Sequence, residues 1–396
     1  MNTLYLFTYQ YPYATRESFT GDELVYIATK FDKVYIVPEI ACKEDTIRKV
    51  PSNCIVLTPN LKKNNRITYY LKGLFSFRTI VLVIKEFFNN AVYKDKVKFK
   101  NFVSYTLNFN NLVHNSRYRM IEKQITERDV CYFYWGVGRN ILSVLWHKKA
   151  HMISRFHGDW DLWEESYHGY VPYRQNIVKS LDKAVFISKK GENYFKERYP
   201  YCNSSVNPLG SKDCGVSPNS PNDEVIRIIS CSAIYNVKRV DLIFKSLNAF
   251  VSRQIEWTHI GDGVDFETLK QIVYAEKKSH LTVNLKGRIP HEEVLEYYKS
   301  NHFDIFINLS TNEGVPVAIM EASSFNIPVV ATNVGGTSEI VTKQVGELVS
   351  PNPNTDEVIS AICKIIDGNY SPREFWLQHY NAEENYNKFA NLVSSL

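Results

Sequence analysis

Short apolar runs of β-like composition alternate with helical stretches along the chain, and this alternation restricts the fold more than any other feature. LYLFT (4–8) and KVYIV (33–37) read as buried strands, with a helix over 23–31 between them. Residues 129–135, 151–156 and 183–187 continue the series. After a break it resumes at 226–230, 256–260, 281–286, 304–308, 328–332 and 346–349. Apolar strands separated by helices build parallel sheets from βαβ units. Two such series predict an α/β chain of two doubly wound domains. The break, SKDCGVSPNSPNDE (211–224), is rich in Ser, Pro, Asn and Asp and has no apolar period, so it reads as a linker. The expected domains are 1–210 and 225–372, with 373–396 a terminal helix. Open α/β sheets bind ligands at the carboxyl ends of their strands. The expected site is the cleft between the two domains.

With 396 residues, 44% of them apolar, the chain has material for two cores. A net charge of +5 is too mild to suggest a nucleic-acid partner. Seven scattered cysteines show no zinc or redox spacing and fit a reducing compartment. The opening MNTLYLFTYQYPY does not have the pattern of a signal peptide, and the longest apolar runs are too short to span a bilayer. A cytoplasmic location is expected. From Lys62 to Lys100, ten Lys or Arg residues face only Glu86 and Asp95, with LKGLFSF and TIVLVIKEFF interleaved. That pattern suits a peripheral membrane contact. A solvated face on a helix packed in the first domain would give the same pattern.

The chemistry concentrates in residues 304–341, DIFINLSTNEGVPVAIMEASSFNIPVVATNVGGTSEIV. A strand enters a loop (310–316), a helix starts at Val317, and a second strand leads to the Gly335-Gly336 turn. Gly314 lets backbone approach a ligand closely. Pro316 suits the first turn of a helix. The free N–H groups of that turn and the helix dipole form an anion site fit for a diphosphate. Glu313 lies ahead of the helix and Glu321 within it. Both are acceptor-only groups suited to sugar hydroxyls.

Asn312-Glu313-Gly314-Val315-Pro316 through Glu321, with the Gly-Gly-x-x-Glu of 335–339, resembles the paired-glutamate motif of retaining GT-B glycosyltransferases of family 4. The resemblance extends over nearly the whole chain. It implies two Rossmann-like domains facing a cleft, with a C-terminal helix crossing back to the first. It further implies that Glu313 holds donor-sugar hydroxyls. The backbone around Gly314, Val315, Pro316 and Val317 would hold sugar and phosphates, and Glu321 the ribose. Residues 228–244, IISCSAIYNVKRVDLIF, resemble the segment whose lysine, here Lys238, binds the diphosphate. A cation there stabilises leaving-group charge. The arginine usual five residues earlier is Ala233 here, and Arg239 is the candidate replacement. Gly261-Asp262-Gly263 and residues 284–289 match loops that frame the nucleotide base, with Arg288 stacking and the Ile289 backbone pairing.

In the first domain, His157 ends a strand where the family has a histidine near the donor sugar and phosphate. A histidine satisfied at a strand end is the other reading. Asp161, Glu164 and Arg174 resemble acceptor residues of polysaccharide-building members, although ordinary surface ion pairs would look alike. The loop 10–23 has only Gly21 where the family has two glycines beside the donor phosphates. Glu17 and Ser18 are its other candidates. Residues 375–396 resemble the terminal helix, with Phe375, Tyr386, Phe389 and Leu392 as its packing stripe.

The resemblance thus implies a retaining hexosyltransferase. It would use a UDP- or GDP-sugar as co-substrate, with no further cofactor. The acceptor would be a lipid-linked glycan in lipopolysaccharide or capsule assembly, at the cytoplasmic face of the inner membrane. No Asp-x-Asp pair stands where a metal would be held, so metal independence is expected. Two rivals remain. One is a nucleotide-sugar-binding partner that has lost turnover, which Ala233 and the sparse glycine loop favour. The other is a GT-B nucleotide-sugar epimerase.

Overall fold

In a computed structural model, residues 2–13, 17–41, 47–59, 73–221 and 223–396 are described. The chain divides into two units, Met1–Asn207 with Tyr386–Leu396, and Pro208–Asn385. The first holds β1 (Thr3–Thr8), β2 (Lys33–Pro38), β3 (Cys54–Val56), β4 (Val130–Phe133), β5 (His151–Phe156), β6 (Lys183–Phe186) and β7 (Ser204–Val206). They form a parallel sheet in the order β3-β2-β1-β4-β5-β6-β7. The second holds β8 (Ile226–Cys231), β9 (Ile255–Ile260), β10 (Leu281–Leu285), β11 (Ile305–Asn308), β12 (Val329–Thr332) and β13 (Gly346–Val349). Its parallel order is β10-β9-β8-β11-β12-β13.

Counted from its own first strand, each sheet runs 3-2-1-4-5-6, and the first sheet adds β7 at its edge. This order reverses its winding between the first and fourth strands. The crevice beyond their carboxyl ends is therefore the place for a ligand. In the first unit it lies between β1 and β4, and in the second between β8 and β11.

Helices cover both faces of each sheet, so central strands are apolar throughout rather than alternating. Every residue of β4, β11 and β12 is buried. Leu4 and Leu6 enter one core with Ile27, Val34 and Phe389, while Tyr5 and Phe7 enter another with Phe133 and Trp146. In the second unit Ile228, Trp257, Ile305, Val330 and Ile362 share one core. The short edge strands β3 and β7 were not anticipated from the sequence.

The stretch read as a linker is pinned to the second unit. Ser217 N–H donates to the Phe325 carbonyl, and Arg373 forks onto Asp213 at 2.9 and 2.7 Å. The terminal stretch is two helices rather than one, Pro372–His379 and Ala382–Ser394. The first, with Phe375, belongs to the second unit, where Trp376 is buried and its indole donates to Ser211 at 2.8 Å. The second crosses to the first unit. There Tyr386, Phe389, Ala390 and Val393 are buried, Leu392 is half-buried, and Phe389 packs on Tyr132 at 5.3 Å. Among the described residues no helix is long and apolar enough to cross a membrane.

Candidate functional site

In the second unit, β8 leads through a loop and the turn Asn236–Lys238 into the helix Val240–Ala249. β11 leads through the loop 309–316 into the helix Val317–Ser324. The Thr311 N–H donates to the Val237 carbonyl at 2.8 Å and ties the two loops together. Lys238 Nζ then donates to Glu313 Oε1 at 2.7 Å, and Asn308 Nδ2 reaches the same oxygen at 3.3 Å. No side chain caps the Val317–Ser324 helix. A cation, a carboxylate and the first turn of a helix thus meet at the crevice between β8 and β11.

The Gly335-Gly336 turn braces this loop. Gly336 N–H donates to the Gly314 carbonyl at 2.7 Å. Gly335 has φ +51°, and a Cβ there would overlap the Glu313 carbonyl oxygen. Only glycine fits such a combination. Glu321 is buried in the helix, and its Oε1 lies 2.6 Å from His291 Nε2. Sequence reading did not single out His291. The partners lie thirty residues apart in sequence, and no local pattern signals the pairing.

Arg239 does not replace the missing arginine at the exposed Ala233. Its guanidinium is held by the loops after β11 and β13, donating to the Leu309, Ser310 and Pro351 carbonyls and to Asn352. Four of its five N–H groups are thereby committed to these loops. Gly261 N–H donates to the Gly287 carbonyl at 2.9 Å, joining the loops after β9 and β10. A Cβ at Gly261 would overlap the Ser232 carbonyl, so packing against the β8 loop accounts for this glycine. On the adjoining loop Arg288 is exposed and Ile289 half-buried.

The first unit is built differently. Glu17 accepts from the backbone N–H groups of Tyr9, Gln10 and Tyr11 at 2.9, 2.5 and 2.7 Å and from the Trp135 indole at 2.6 Å. Its carboxylate fills the cup of amides that follows β1. Gly21 lies inside the helix Ser18–Ala28, against the Tyr11 ring, and not in a phosphate loop. The Ser18 side chain lies outside the described residues.

His157 sits between the Tyr134 and Trp135 rings, at 4.7 and 4.6 Å. Its Nδ1 is 3.2 Å from Asp161 Oδ2. A carboxylate can only accept, so Nδ1 carries the proton and Nε2 the lone pair. Burial lowers the His157 pKa, against the raising pull of Asp161, and the ring is neutral at pH 7. Nε2 is buried without a hydrogen-bond partner among the described residues. Asp161 is fully buried and accepts from the Gly136 and His157 N–H groups. Arg174 is also buried and donates to the Gly136 and Asp161 carbonyls at 2.9 and 3.1 Å. Neither is the surface group the sequence suggested. Both are buried and bound to the backbone around Gly136, and Arg174 Nε has no hydrogen-bond partner among the described residues. Glu164 accepts from the Tyr199 hydroxyl at 2.5 Å.

A cavity of about 300 Å³ opens at the crevice between β1 and β4. Tyr9, Tyr105, Trp135, Trp160 and Tyr167 line it, together with Arg139 and Glu39, which pair at 2.6 Å. None of these lining residues was singled out from the sequence. Their signal is faint: an aromatic and two glycines, Trp135-Gly136-Val137-Gly138, directly after a strand.

Comparison with solved structures decides the architecture. The chain superposes over 100% of its length on the apo lipopolysaccharide outer core galactosyltransferase WaaB, covering 100% of that chain, with a TM-score of 0.66 at 14% identity. It likewise matches Anabaena Alr3699/HepE in complex with UDP, over 100% of both chains, with a TM-score of 0.63 at 12% identity. The fold is GT-B. Within it, residues 217–381, nearly all of the second unit, match the family model described as glycosyl transferases group 1. The Escherichia coli O-antigen biosynthesis glycosyltransferase WclY is 24% identical over 239 residues, 54% of this chain and 63% of its own. The putative teichuronic acid biosynthesis glycosyltransferase TuaC of Bacillus subtilis is 30% identical over 199 residues, 46% of this chain and 48% of its own. The chain therefore spans about half the length of these curated relatives. In this GT-B chain the family match falls on the unit whose crevice holds Lys238, Glu313 and Glu321.

Proposed function

We propose that the chain is a retaining glycosyltransferase of surface-polysaccharide assembly, moving a hexose from a UDP- or GDP-sugar to a lipid-linked glycan. The observation that carries this reading is the Lys238–Glu313 pair ahead of the Val317–Ser324 helix, with Glu321 inside that helix. A diphosphate needs a cation and unpaired N–H groups. A sugar and a ribose need acceptors for their hydroxyls. On this reading the incoming diphosphate takes Lys238 from Glu313. The freed carboxylate turns to the sugar hydroxyls, and Glu321, steadied by His291, takes the ribose. Lys238 and the backbone of Gly314, Val315 and Val317 then hold the charge that develops on the leaving diphosphate. The acceptor hydroxyl attacks on the face from which the diphosphate departs, and a donor phosphate oxygen takes its proton. The lone pair on His157 Nε2 makes it the first unit's candidate for a donor-sugar hydroxyl.

The acceptor is assigned to the aromatic cavity of the first unit. Ring faces pack against the C–H faces of a sugar, while Arg139 and Glu39 bond its hydroxyls. The charge compensation comes from Lys238 and backbone N–H groups, so turnover is expected to survive EDTA. Restoration by Mn²⁺ of an EDTA-abolished activity would refute that expectation. The working place is the cytoplasmic face of a membrane, where a lipid-linked acceptor is presented.

The test is nucleotide release from a panel of UDP- and GDP-sugars, with and without membrane-lipid extract. The reading requires extract-dependent release from one donor, lost in Lys238→Ala and Glu321→Ala. Ala233 favours a second reading, a binding partner without turnover. Donor binding with no release under any condition would establish it, and conversion of the donor sugar without extract would establish an epimerase.

A further inference from the structure

The helix Ile80–Asn89 of the first unit is apolar on two faces: Leu82, Val83 and Phe87 pack on the core, and a second apolar stripe faces outward. The one buried side chain of the helix is a carboxylate: Glu86 accepts from the Tyr170 hydroxyl and the Tyr173 N–H, both at 2.8 Å. Val81, Ile84 and Phe88, spaced i, i+3 and i+7 on one face, are 62%, 49% and 62% exposed. A helix packed on a core ordinarily points such a stripe inward. The apolar surface continues beyond the helix, since Phe88 meets the exposed Tyr93 at 6.3 Å and Phe87 meets the half-exposed Phe99 at 6.5 Å.

The charge around this surface has one sign. Residues 73–100 hold six basic and two acidic side chains. Arg78 pairs with Glu122, which leaves lysines 85, 94, 96, 98 and 100. Of the two acids, Glu86 is buried and Asp95 caps the helix Lys96–His114 by accepting from the Val97 and Lys98 N–H groups. Residues 62–72 of the basic stretch lie outside the described residues.

We infer that this face docks on the surface of an anionic lipid bilayer. Exposed aliphatic and ring side chains amid lysines suit the boundary between acyl chains and anionic headgroups. Lysine is depleted at protein–protein interfaces, which makes a protein partner the poorer fit. The face is continuous with the acceptor cavity. Along the Lys96–His114 helix, Lys100, Ser104 and Asn108 follow at i, i+4 and i+8, and the last two line the cavity. If the transferase reading holds, a glycan anchored in the bilayer would enter the cavity along this helix. The docking itself does not depend on that reading.

The test is flotation of the full chain with phosphatidylcholine vesicles and with vesicles also containing phosphatidylglycerol. The wild type is expected to float with the anionic vesicles, less so as salt rises. Ile84→Glu with Phe88→Glu should reduce the bound fraction about tenfold or more while leaving thermal melting unchanged. The milder Val81→Ser with Phe88→Ser covers the case of misfolding. Lys94→Ala with Lys96→Ala and Lys100→Ala should abolish the preference for anionic vesicles. A wild type that stays with neither vesicle, or a double variant that floats like the wild type, overturns the inference. So does a dimer in light scattering that the same substitutions dissolve, which would assign the face to a second copy. Donor hydrolysis without acceptor should be equal in wild type and variants, and this separates failure of docking from failure of the transferase reading.

Discussion

The two sheets share a strand order but furnish their crevices differently. In the second unit the charged groups at the β8–β11 crevice are paired with one another, Lys238 with Glu313 and His291 with Glu321. In the first unit the corresponding charges are committed to the protein itself. Glu17 is held by three backbone N–H groups and an indole, and Asp161 and Arg174 by the backbone around Gly136. What the first crevice offers outward is mostly ring surface, with one ion pair, Arg139 and Glu39, among the rings. One topology therefore carries ion pairs beside a helix start in one unit and a mainly aromatic lining in the other, and function has to be read from the side chains rather than from the fold.

The largest predicted effect lies on the ionic side of that contrast. Lys238→Ala should lower kcat by about 10²–10³-fold, the usual cost of losing a donor aimed at developing charge. Trp160→Ala, on the stacking side, should raise acceptor KM by about tenfold and leave kcat for donor hydrolysis unchanged. Steady-state kinetics with donor and acceptor varied in turn checks both. Equal effects of the two substitutions on donor KM would dissolve the contrast.

The next effect is on stability. Glu17→Ala leaves three backbone donors and an indole without their acceptor. It should destabilise the protein by about 2 kcal/mol, measured by urea unfolding. Glu313→Gln, whose partner Lys238 is already part-exposed, should cost under about 1 kcal/mol. A reversed order would mean that Glu17, not Glu313, is the exchangeable carboxylate.

A buried histidine gives the second unit a pH signature. His259, on β9, lies 2.8 Å from Ser230 Oγ, and burial lowers its pKa to about 4. The unfolded chain takes up this proton near pH 6.5, well before the folded one does. Stability is therefore full above about pH 6.5 and is lost as pH falls towards 4, by about 3 kcal/mol. Denaturant midpoints between these limits should slope for the wild type and flatten in His259→Asn. His157 shifts in the same direction, so its substitution removes a further part of the acid slope.

The central strands were legible because parallel strands buried on both faces read as unbroken apolar runs. β3 and β7 were not, being three residues long and largely half-buried. The break in the terminal stretch did carry a local signal. Asn381 accepts from the Glu383 and Glu384 N–H groups, an N-cap followed by acids, but the apolar stripe on either side obscured it. In the β11 segment the glutamates, the glycine and the proline were legible because their spacing is local. Arg174, Asp161 and Arg239 were misjudged for the opposite reason. Whether a charged side chain points outward or binds backbone carbonyls depends on contacts far away in sequence.

Ala233 offers the smallest and most discriminating effect. It is exposed in the loop after β8, where the family resemblance expects an arginine, and Arg239 cannot stand in because the loops after β11 and β13 hold it. If the second crevice binds a diphosphate, Ala233→Arg adds a cation beside Lys238. Donor KM should then fall a few-fold, about 1 kcal/mol for a part-exposed charge pair. The first unit's acceptor KM should not move. A gain confined to donor KM would mean that the wild type is a working transferase with one phosphate ligand fewer. Turnover that appears only in Ala233→Arg would mean that the natural chain binds a nucleotide sugar without transferring it.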